Sequence, residues 1–303
     1  MTPAIPAHAD NRPHALALRF LSVTAFTSMA ALIKVASERG VSLSEILFWR
    51  QAGAVPIILI WVAIGPGLAS LRTSRFRLHV GRSTLGLISM SCMFTGVSML
   101  PLAESTILSF TTPIFATIMA AVLLHETVGW RRWVAVLAGF AGVVIMVAPG
   151  SAHFPVLGAS FALIAALLSA LVLILLRDMS KSEPPATIAF WFSVLSLAPL
   201  GILMLRVGTA HTLSEWMLLF AIGGIGAVGQ LAMTSSLKKA PVSTVVAMDY
   251  TALIWSTLYG ALFWSVLPTP SSLLGAPVII ASGLFIVWRE RQLHIARSRE
   301  ITV

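Results

Sequence analysis

Charged residues are scarce in this sequence. They make up 10% of the 303 residues, while hydrophobic residues make up 57%. A soluble globular domain carries about 25% charged residues. The composition therefore excludes an ordinary soluble domain and predicts a membrane protein that crosses the bilayer many times. Cysteine is nearly absent too, and the single Cys92 excludes an internal disulfide bond.

Motifs that would indicate an ATP-driven pump or a metalloenzyme are also absent. The sequence contains no GxxxxGK[ST] loop for ATP, and His125-Glu126 begins like a zinc motif but lacks the second histidine. Gly224, Gly226 and Gly229 have the spacing of a dinucleotide fingerprint, yet they lie in an apolar segment rather than after a strand. We therefore expect no cofactor and no metal. The net charge of +9 indicates basic loops on the cytoplasmic side of a membrane rather than a nucleic-acid partner.

Ten apolar segments are separated by short polar connections. About 20 apolar residues cross the ~30 Å hydrocarbon layer as a helix. The ten predicted spans are residues 15–37, 43–64, 83–100, 103–124, 132–148, 156–177, 186–206, 214–236, 242–264 and 272–289. With both termini in the cytoplasm, sixteen of the twenty Lys and Arg residues lie on the inner side, which is the usual bias. We predict an all-α polytopic protein of a bacterial-type inner membrane, with cytoplasmic tails at residues 1–14 and 291–303.

The two halves of the chain share short sequence matches in the same order. Residues 105–108 (STIL) recur 138 residues later as 243–246 (STVV), and two further four-residue matches recur after 142 and 141 residues. This pattern predicts a duplication, with repeats at 15–150 and 151–290. Because each repeat has five spans, an odd number, the second repeat enters the membrane from the opposite side. Inverted repeats of this kind are typical of secondary transporters, whose substrate sites lie near the midplane.

The fourth predicted span contains polar residues where a purely anchoring helix would have aliphatic ones. Its first half carries five hydroxyl side chains and is interrupted by Pro113. Hydroxyls and proline at membrane depth face other helices or a wet cavity. With neighbouring thioether, aromatic and polar residues, they give the predicted substrate-binding and cavity set: Met90, Met93, Ser109, Thr112, Trp191, Gln230, Thr234, Asp249 and Tyr250. The candidate hinges are Pro56, Pro113, Pro199 and Pro277, for which a static kink is the equal alternative.

Asp249 is the acidic residue that lies well inside a predicted span. A carboxylate at that depth costs a few kcal/mol unless it faces protein or water. Two interpretations stay open: a hydrogen bond to another helix, or a group that binds a substrate ammonium and exchanges a proton for it. Lys34 and Arg50 lie near the outer ends of the first two spans, and we expect both side chains to reach the membrane interface.

Several short motifs resemble those of the drug/metabolite transporter superfamily, in its EamA-type branch. They are, in chain order, Phe48-Trp49-Arg50, Pro101-Leu102-Ala103-Glu104-Ser105, Thr112-Pro113-Ile114-Phe115, Leu124-His125-Glu126 with Gly139 and Gly142, and Asp249-Tyr250-Thr251. The resemblance covers nearly the whole chain. It implies ten helices in two inverted five-helix repeats, a central cavity between them, and alternating access without ATP.

Within that superfamily the resemblance favours an exporter of amino acids, aromatic or other neutral ones, of the YddG type. An importer of a metabolite such as riboflavin or S-adenosylmethionine, or a drug exporter, is the alternative. A membrane enzyme or a channel is disfavoured, because no histidine lies in the middle of a predicted span and the duplicated chain gives two unlike halves. The expected partners are a small-molecule substrate and the lipid bilayer, with a monomer as one expectation for the oligomeric state.

Overall fold

Helices dominate the part of the chain that the structure describes. The computed structural model describes residues 12–123, 125, 128–147, 155–179, 182–239 and 246–300, and none of these forms a strand. The α-helices are α1 (Arg12–Glu38), α2 (Leu43–Ile64), α3 (Phe76–Met99), α4 (Leu102–Ser109), α5 (Thr112–Leu123), α6 (Trp130–Val147), α7 (Val156–Met179), α8 (Pro185–Val207), α9 (Leu213–Lys239), α10 (Thr251–Trp264) and α11 (Pro270–Glu300). Two short 3-10 helices, Leu68–Leu71 and Val246–Tyr250, precede α3 and α10.

Eight helical segments within the described ranges are long and apolar enough to cross a membrane, with α4 and α5 taken as one segment of 22 residues. The prediction of an all-helical, multi-pass membrane protein is thereby confirmed. The third and ninth predicted spans are not among these eight. α3 begins with a basic stretch that includes Arg77 and Arg82, and α10 has 14 residues, or about 21 Å of helix. The count of ten spans stays a prediction.

Local signals in the sequence set several helix boundaries. The Ser42 hydroxyl accepts a hydrogen bond from the Glu45 backbone, while the Glu45 side chain accepts one from the Ser42 backbone, so α2 begins with a capping box at the predicted residue. The third predicted span starts at residue 83, whereas the helix that contains it, α3, begins earlier at Phe76. The basic residues there lower the hydropathy of the stretch, but arginine is a good helix former.

The fourth predicted span is two helices rather than one. Pro113 has no N–H to donate to the Ser109 carbonyl, and that carbonyl instead accepts a hydrogen bond from the Thr112 hydroxyl at 2.8 Å. Around the break, the Phe110 and Thr111 amides donate to carbonyls three residues earlier. α5 therefore starts afresh at Thr112, with Pro113 in its first turn, where proline is tolerated.

Most of the helices form a closed ring. Each contacts the next in the order α1, α9, α2, α8, α3, α7, α4 with α5, α10 and back to α1. α6 and α11 pack against each other outside this ring and also against α5. α2 and α9 approach closely because both present a glycine: a side-chain carbon added to Gly53 would lie 2.9 Å from the Cα of Gly223.

Contacts between connecting segments close the two ends of the ring. We call the end where α1 begins the proximal end, and the end where α1 finishes the distal end. At the proximal end the Trp191 indole donates to the Leu71 carbonyl at 3.0 Å. At the distal end Lys34 Nζ donates to the Leu100 carbonyl at 2.8 Å, and the main apolar cluster, which contains Phe94, fills the distal half between α1, α2, α3, α8 and α9.

Candidate functional site

Asp249 has a cationic partner on another helix. Arg19 on α1 donates from Nε to Oδ1 at 2.6 Å and from Nη2 to Oδ2 at 2.7 Å, so both carboxylate oxygens are engaged. The side chains are 15% and 32% exposed, which makes the pair partly buried. This bidentate pair is not predictable from local sequence, because the partners are 230 residues apart. In this conformation the pair joins α1 to the 3-10 helix that precedes α10.

Tyr250 lies against the break between α4 and α5. Its ring centre is 4.9 Å from that of Phe110, and a side-chain carbon on Gly283 would lie 3.1 Å from the Tyr250 hydroxyl. Ser109 and Thr112 flank Phe110 at the same break, where their hydroxyls donate to carbonyls within the chain turn. Three of the predicted cavity residues therefore lie in one neighbourhood, beside Asp249.

Met90 and Met93 lie with aromatic residues in the main apolar cluster. Met90 is 8% exposed, and Met93, Phe192 and Trp49 pack against the same cluster. Gln230 lines a pocket next to Phe192. The thioether and aromatic side chains therefore adjoin a polar pocket between α2, α3, α8 and α9.

The structure separates Trp191 from the other predicted cavity residues. Trp191 donates to Leu71 and its ring packs against the rings of Phe76 and His79 at the proximal end. It therefore holds the 3-10 helix Leu68–Leu71 against α8. The side chain of Thr234, the remaining member of the predicted set, lies outside the described residues.

The pocket that Gln230 lines also contains two arginines, and the sequence did not predict that these would lie in one site. Arg50 on α2 and Arg82 on α3 both line it, together with Gln51 and Ser193. The predicted interface role of Arg50 is wrong, because its Nε is shielded from solvent in this pocket. The Arg82 guanidinium carbon lies 3.8 Å from the centre of the Phe192 ring. A basic residue two turns inside an apolar helix was the available signal, but which helix it faced was not readable.

Two buried carboxylates stabilise connections at the distal end. Glu45 accepts hydrogen bonds from the Thr209 amide at 3.0 Å and from His211 Nε2 at 2.9 Å, besides those of its own helix cap. Glu104 at the start of α4 accepts from the Thr269 amide at 3.1 Å. Both side chains are fully buried. These acids therefore fix the α8–α9 and α10–α11 connections and do not face the pocket that contains Arg50.

The four candidate hinge prolines lie inside helices or at the break between two helices. Pro56, Pro199 and Pro277 are inside α2, α8 and α11, and Pro113 follows the break between α4 and α5. A proline within a helix fits the hinge and the static kink equally, so both interpretations stay open. Among the described residues, no group of three or more His, Cys, Asp or Glu side chains is placed to hold a metal ion.

Comparison with known proteins agrees with the helical membrane architecture. The EamA-like transporter family matches residues 14–148 and again residues 156–288. The chain therefore belongs to the EamA-like transporter family. A solved structure described only as a crystal structure of protein has the same fold, with a TM-score of 0.58 and 18% sequence identity over 92% of this chain and 98% of the other.

Curated relatives cover most of the chain and carry different substrates in their names. An S-adenosylmethionine uptake transporter of Rickettsia bellii is 27% identical over 82% of this chain and 84% of its own. A pseudopaline exporter, CntI, of Pseudomonas aeruginosa is 26% identical over 88% and 93%. A riboflavin transporter of Rhizobium johnstonii is 31% identical over 74% of each chain. The chain is therefore similar to transporters of small molecules, of which one is named for uptake and another for export.

Proposed function

We propose that this protein is a secondary, ATP-independent transporter that exports amino acids, aromatic or other neutral ones, and related metabolites by alternating access. The observation that carries this proposal is the pairing of a polar, cationic pocket with an apolar cluster inside the helix ring. Arg50 and Gln230 line the pocket, and Met90 and Phe192 belong to the adjoining cluster. An amino acid has the same two parts, a charged backbone end and an apolar side chain.

The helix ring supports an inverted-repeat organisation. If α1, α2, α3, α4 with α5, and α6 are exchanged in order with α7, α8, α9, α10 and α11, the order of neighbours in the ring is unchanged. The α6–α11 pair outside the ring also maps onto itself. The two matches to one family support the same reading. We infer ten spans, with a substrate site between the repeats near the midplane.

One contact across the ring supports a conformation that is closed at the distal end. α1 packs directly against α3, where Lys34 donates to the Leu100 carbonyl. In the inverted repeat, the pair α7 and α9 is equivalent to the pair α1 and α3. In the described part of the chain, however, α7 and α9 do not pack against each other in the same way. We propose that the proximal end is the cytoplasmic one, as the excess of Lys and Arg there favours. The site would then load from the cytoplasm, which is the direction that export requires. Both termini would be cytoplasmic, in the inner membrane.

Asp249 is proposed as a coupling residue that exchanges Arg19 for the substrate ammonium or for a proton during the cycle. A charge-assisted hydrogen bond to either cation is about twice as strong as a neutral one. The bidentate pair with Arg19 would hold α1 against the start of the ninth span until substrate or a proton competes for the carboxylate. In the other interpretation the pair only joins two helices. The contact is the same, but replacing Asp249 should then leave the coupling of transport to a pH gradient unchanged.

The names of the relatives favour a second candidate, the uptake of a larger metabolite such as S-adenosylmethionine or riboflavin. S-adenosylmethionine is itself an amino-acid derivative, so the amphiphilic interior does not separate the two candidates. A transport panel does. Purified protein in liposomes is preloaded with unlabelled phenylalanine, tryptophan, alanine, S-adenosylmethionine or riboflavin, and exchange with labelled compound outside is measured with and without a pH gradient.

We expect exchange of aromatic amino acids and none of riboflavin. Thr112→Trp, which puts a bulky ring at the break in the fourth span, should abolish exchange. Leu123→Trp is the matched control, because Leu123 is 53% exposed at the far end of α5, and it should leave exchange unchanged. Exchange of S-adenosylmethionine or riboflavin alone would replace the first candidate by the second.

A further inference from the structure

Two arginines share one pocket and have no acidic partner among the described residues. Arg50 from α2 and Arg82 from α3 line the pocket together with Gln51, Phe192, Ser193 and Gln230. Both side chains form part of the wall of this one small cavity. Every acidic residue with a described side chain bonds elsewhere: Glu38, Glu45, Glu104, Asp178, Glu183, Glu215 and Asp249. Arginine stays protonated in proteins, so the positive charge of this pocket is uncompensated within the described part.

The unpartnered polar atoms of this pocket are all hydrogen-bond donors. Arg50 Nε, Arg82 Nε and Nη1, and Gln51 Nε2 are shielded from solvent and lack a partner in the described structure. The Gln51 carbonyl oxygen, in contrast, accepts from Arg50 Nη1 at 2.9 Å and lies 3.4 Å from the Ser193 hydroxyl. Buried donors without acceptors cost free energy, and two buried cations cost more unless an anion compensates them. The pocket therefore fits a ligand that accepts hydrogen bonds and carries negative charge.

The surrounding residues fix the position of Arg82. Its guanidinium stacks on Phe192 at 3.8 Å, as Arg does on aromatic rings. Gly86 leaves the room for this arrangement, since a side-chain carbon there would lie 3.2 Å from Arg82 Nη1 and 3.0 Å from Phe192 Cε2. Arg82 is thus held in place before any ligand arrives, which lowers the entropic cost of binding.

The size of the pocket limits the ligand to a small group. The cavity volume is about 30 Å³, which holds about two waters, or the two oxygens of one carboxylate. A whole metabolite does not fit, but the Met and aromatic cluster that contains Met90 and Phe192 adjoins the pocket. We propose that the pocket between α2, α3, α8 and α9 is a carboxylate subsite, in which Arg50 and Arg82 bind the carboxylate of the transported substrate. This inference rests on the proposed function in naming the substrate as the source of the carboxylate.

The first test measures the thermal unfolding midpoint of the purified protein in detergent, in a chloride-free HEPES buffer of constant ionic strength. Saturating acetate should raise the midpoint of the wild type by roughly 2–5 °C, and neutral acetamide should not. Arg50→Gln and Arg82→Gln should lose the rise. Arg206→Gln removes an exposed arginine at the end of α8 and should keep it.

Three outcomes of this measurement overturn the proposal. They are the absence of any acetate effect on the wild type, an equal loss in Arg206→Gln, and a rise with chloride but not with acetate. The last result would make the pocket a halide site. Arg82→Lys keeps the charge but loses the planar fork, so it should fold and show a smaller rise, which keeps the test open if a Gln variant fails to fold.

The second test separates the carboxylate from the rest of the substrate. Exchange of labelled phenylalanine in liposomes is inhibited with unlabelled phenylalanine or with its amide, which lacks the carboxylate. Arg82→Gln should raise the half-inhibiting concentration of phenylalanine about 10–100-fold and leave that of the amide unchanged. An equal change for both compounds would refute the carboxylate subsite. If no amino acid is exchanged but acetate still protects the wild type and not Arg82→Gln, the proposed function fails and the anion site stands.

Discussion

The arginines inside the helix ring differ in what their charge faces. Arg19 donates two hydrogen bonds, at 2.6 and 2.7 Å, to the carboxylate of Asp249. Arg50 and Arg82 line one pocket, and each has a buried nitrogen without a hydrogen-bond partner in the described structure. The Arg19 charge is compensated in this conformation and contributes to its stability. The charges of Arg50 and Arg82 are not compensated. Keeping two like charges inside a ring of apolar helices costs free energy. The contrast indicates that the first site is satisfied by its own partners in this conformation, whereas the second is kept for a ligand.

The largest effect is expected from breaking the compensated pair. Arg19→Gln or Asp249→Asn removes one partner of two charge-assisted hydrogen bonds, which should cost about 1.5–3 kcal/mol of unfolding free energy. The partial exposure of the pair keeps the cost below that of a fully buried one. The measurement is denaturant unfolding in detergent. The double variant should recover part of the loss, and a purely additive double variant would show that the two side chains do not interact.

The same pair sharpens the functional interpretation of Asp249. Asp249→Asn keeps the shape of the side chain but removes its titratable charge, so coupling of transport to a pH gradient should be lost while substrate exchange is retained at a reduced rate. Transport is compared with and without the gradient between pH 5 and 8. Wild-type coupling in a well-expressed Asp249→Asn variant would leave the pair with a structural role alone.

A smaller net effect is expected at the uncompensated pair, because two contributions oppose each other there. Without a bound anion, Arg82→Gln removes repulsion from Arg50 and also removes the stacking on Phe192, which is worth about 0.5–2 kcal/mol. We expect the unfolding free energy of Arg82→Gln to change by less than about 1 kcal/mol, with the sign open to an increase. A loss as large as that of Arg19→Gln under the same anion-free conditions would break the comparison.

The two buried acids of the distal end provide the smallest predicted effect. Glu45 uses both carboxylate oxygens, whereas Glu104 Oε2 has no hydrogen-bond partner in the described structure. Because glutamine keeps one accepting oxygen, Glu45→Gln should cost about 0.5–1 kcal/mol of unfolding free energy, and Glu104→Gln should cost less. Thermal unfolding of the two variants side by side checks the order. A larger loss of stability in Glu104→Gln than in Glu45→Gln would contradict this prediction.

Much of the fold could be predicted from the sequence, because each helix is signalled by its own residues. α2 begins and ends at the predicted residues 43 and 64, where a capping box precedes an apolar run. The break at Pro113 was also visible, since proline removes a specific hydrogen bond. α3 begins before the predicted span, because hydropathy predicts the apolar segment and not the start of the helix.

The partners within the site could not be predicted in the same way. Arg19 and Asp249 are 230 residues apart, and the convergence of Arg50 and Arg82 depends on how α2 and α3 pack against α8 and α9. The residues were visible as charges in apolar segments, but the faces they share are set by tertiary packing. Trp191 shows a contact that composition could not predict: its aromatic character suggested a cavity, and the fold also uses its indole N–H to bind the Leu71 carbonyl.

The most direct test of the account is counterflow of labelled phenylalanine in liposomes that contain the purified protein. The account predicts rapid uptake of label into liposomes preloaded with unlabelled phenylalanine. It predicts no Arg82-dependent uptake into liposomes preloaded with the same concentration of phenylalanine amide. Arg82→Gln should reduce the first rate at least tenfold, while Arg206→Gln should leave it unchanged. Equal counterflow against the acid and the amide, in wild type and Arg82→Gln alike, would contradict the claim that the arginine pocket binds the substrate carboxylate.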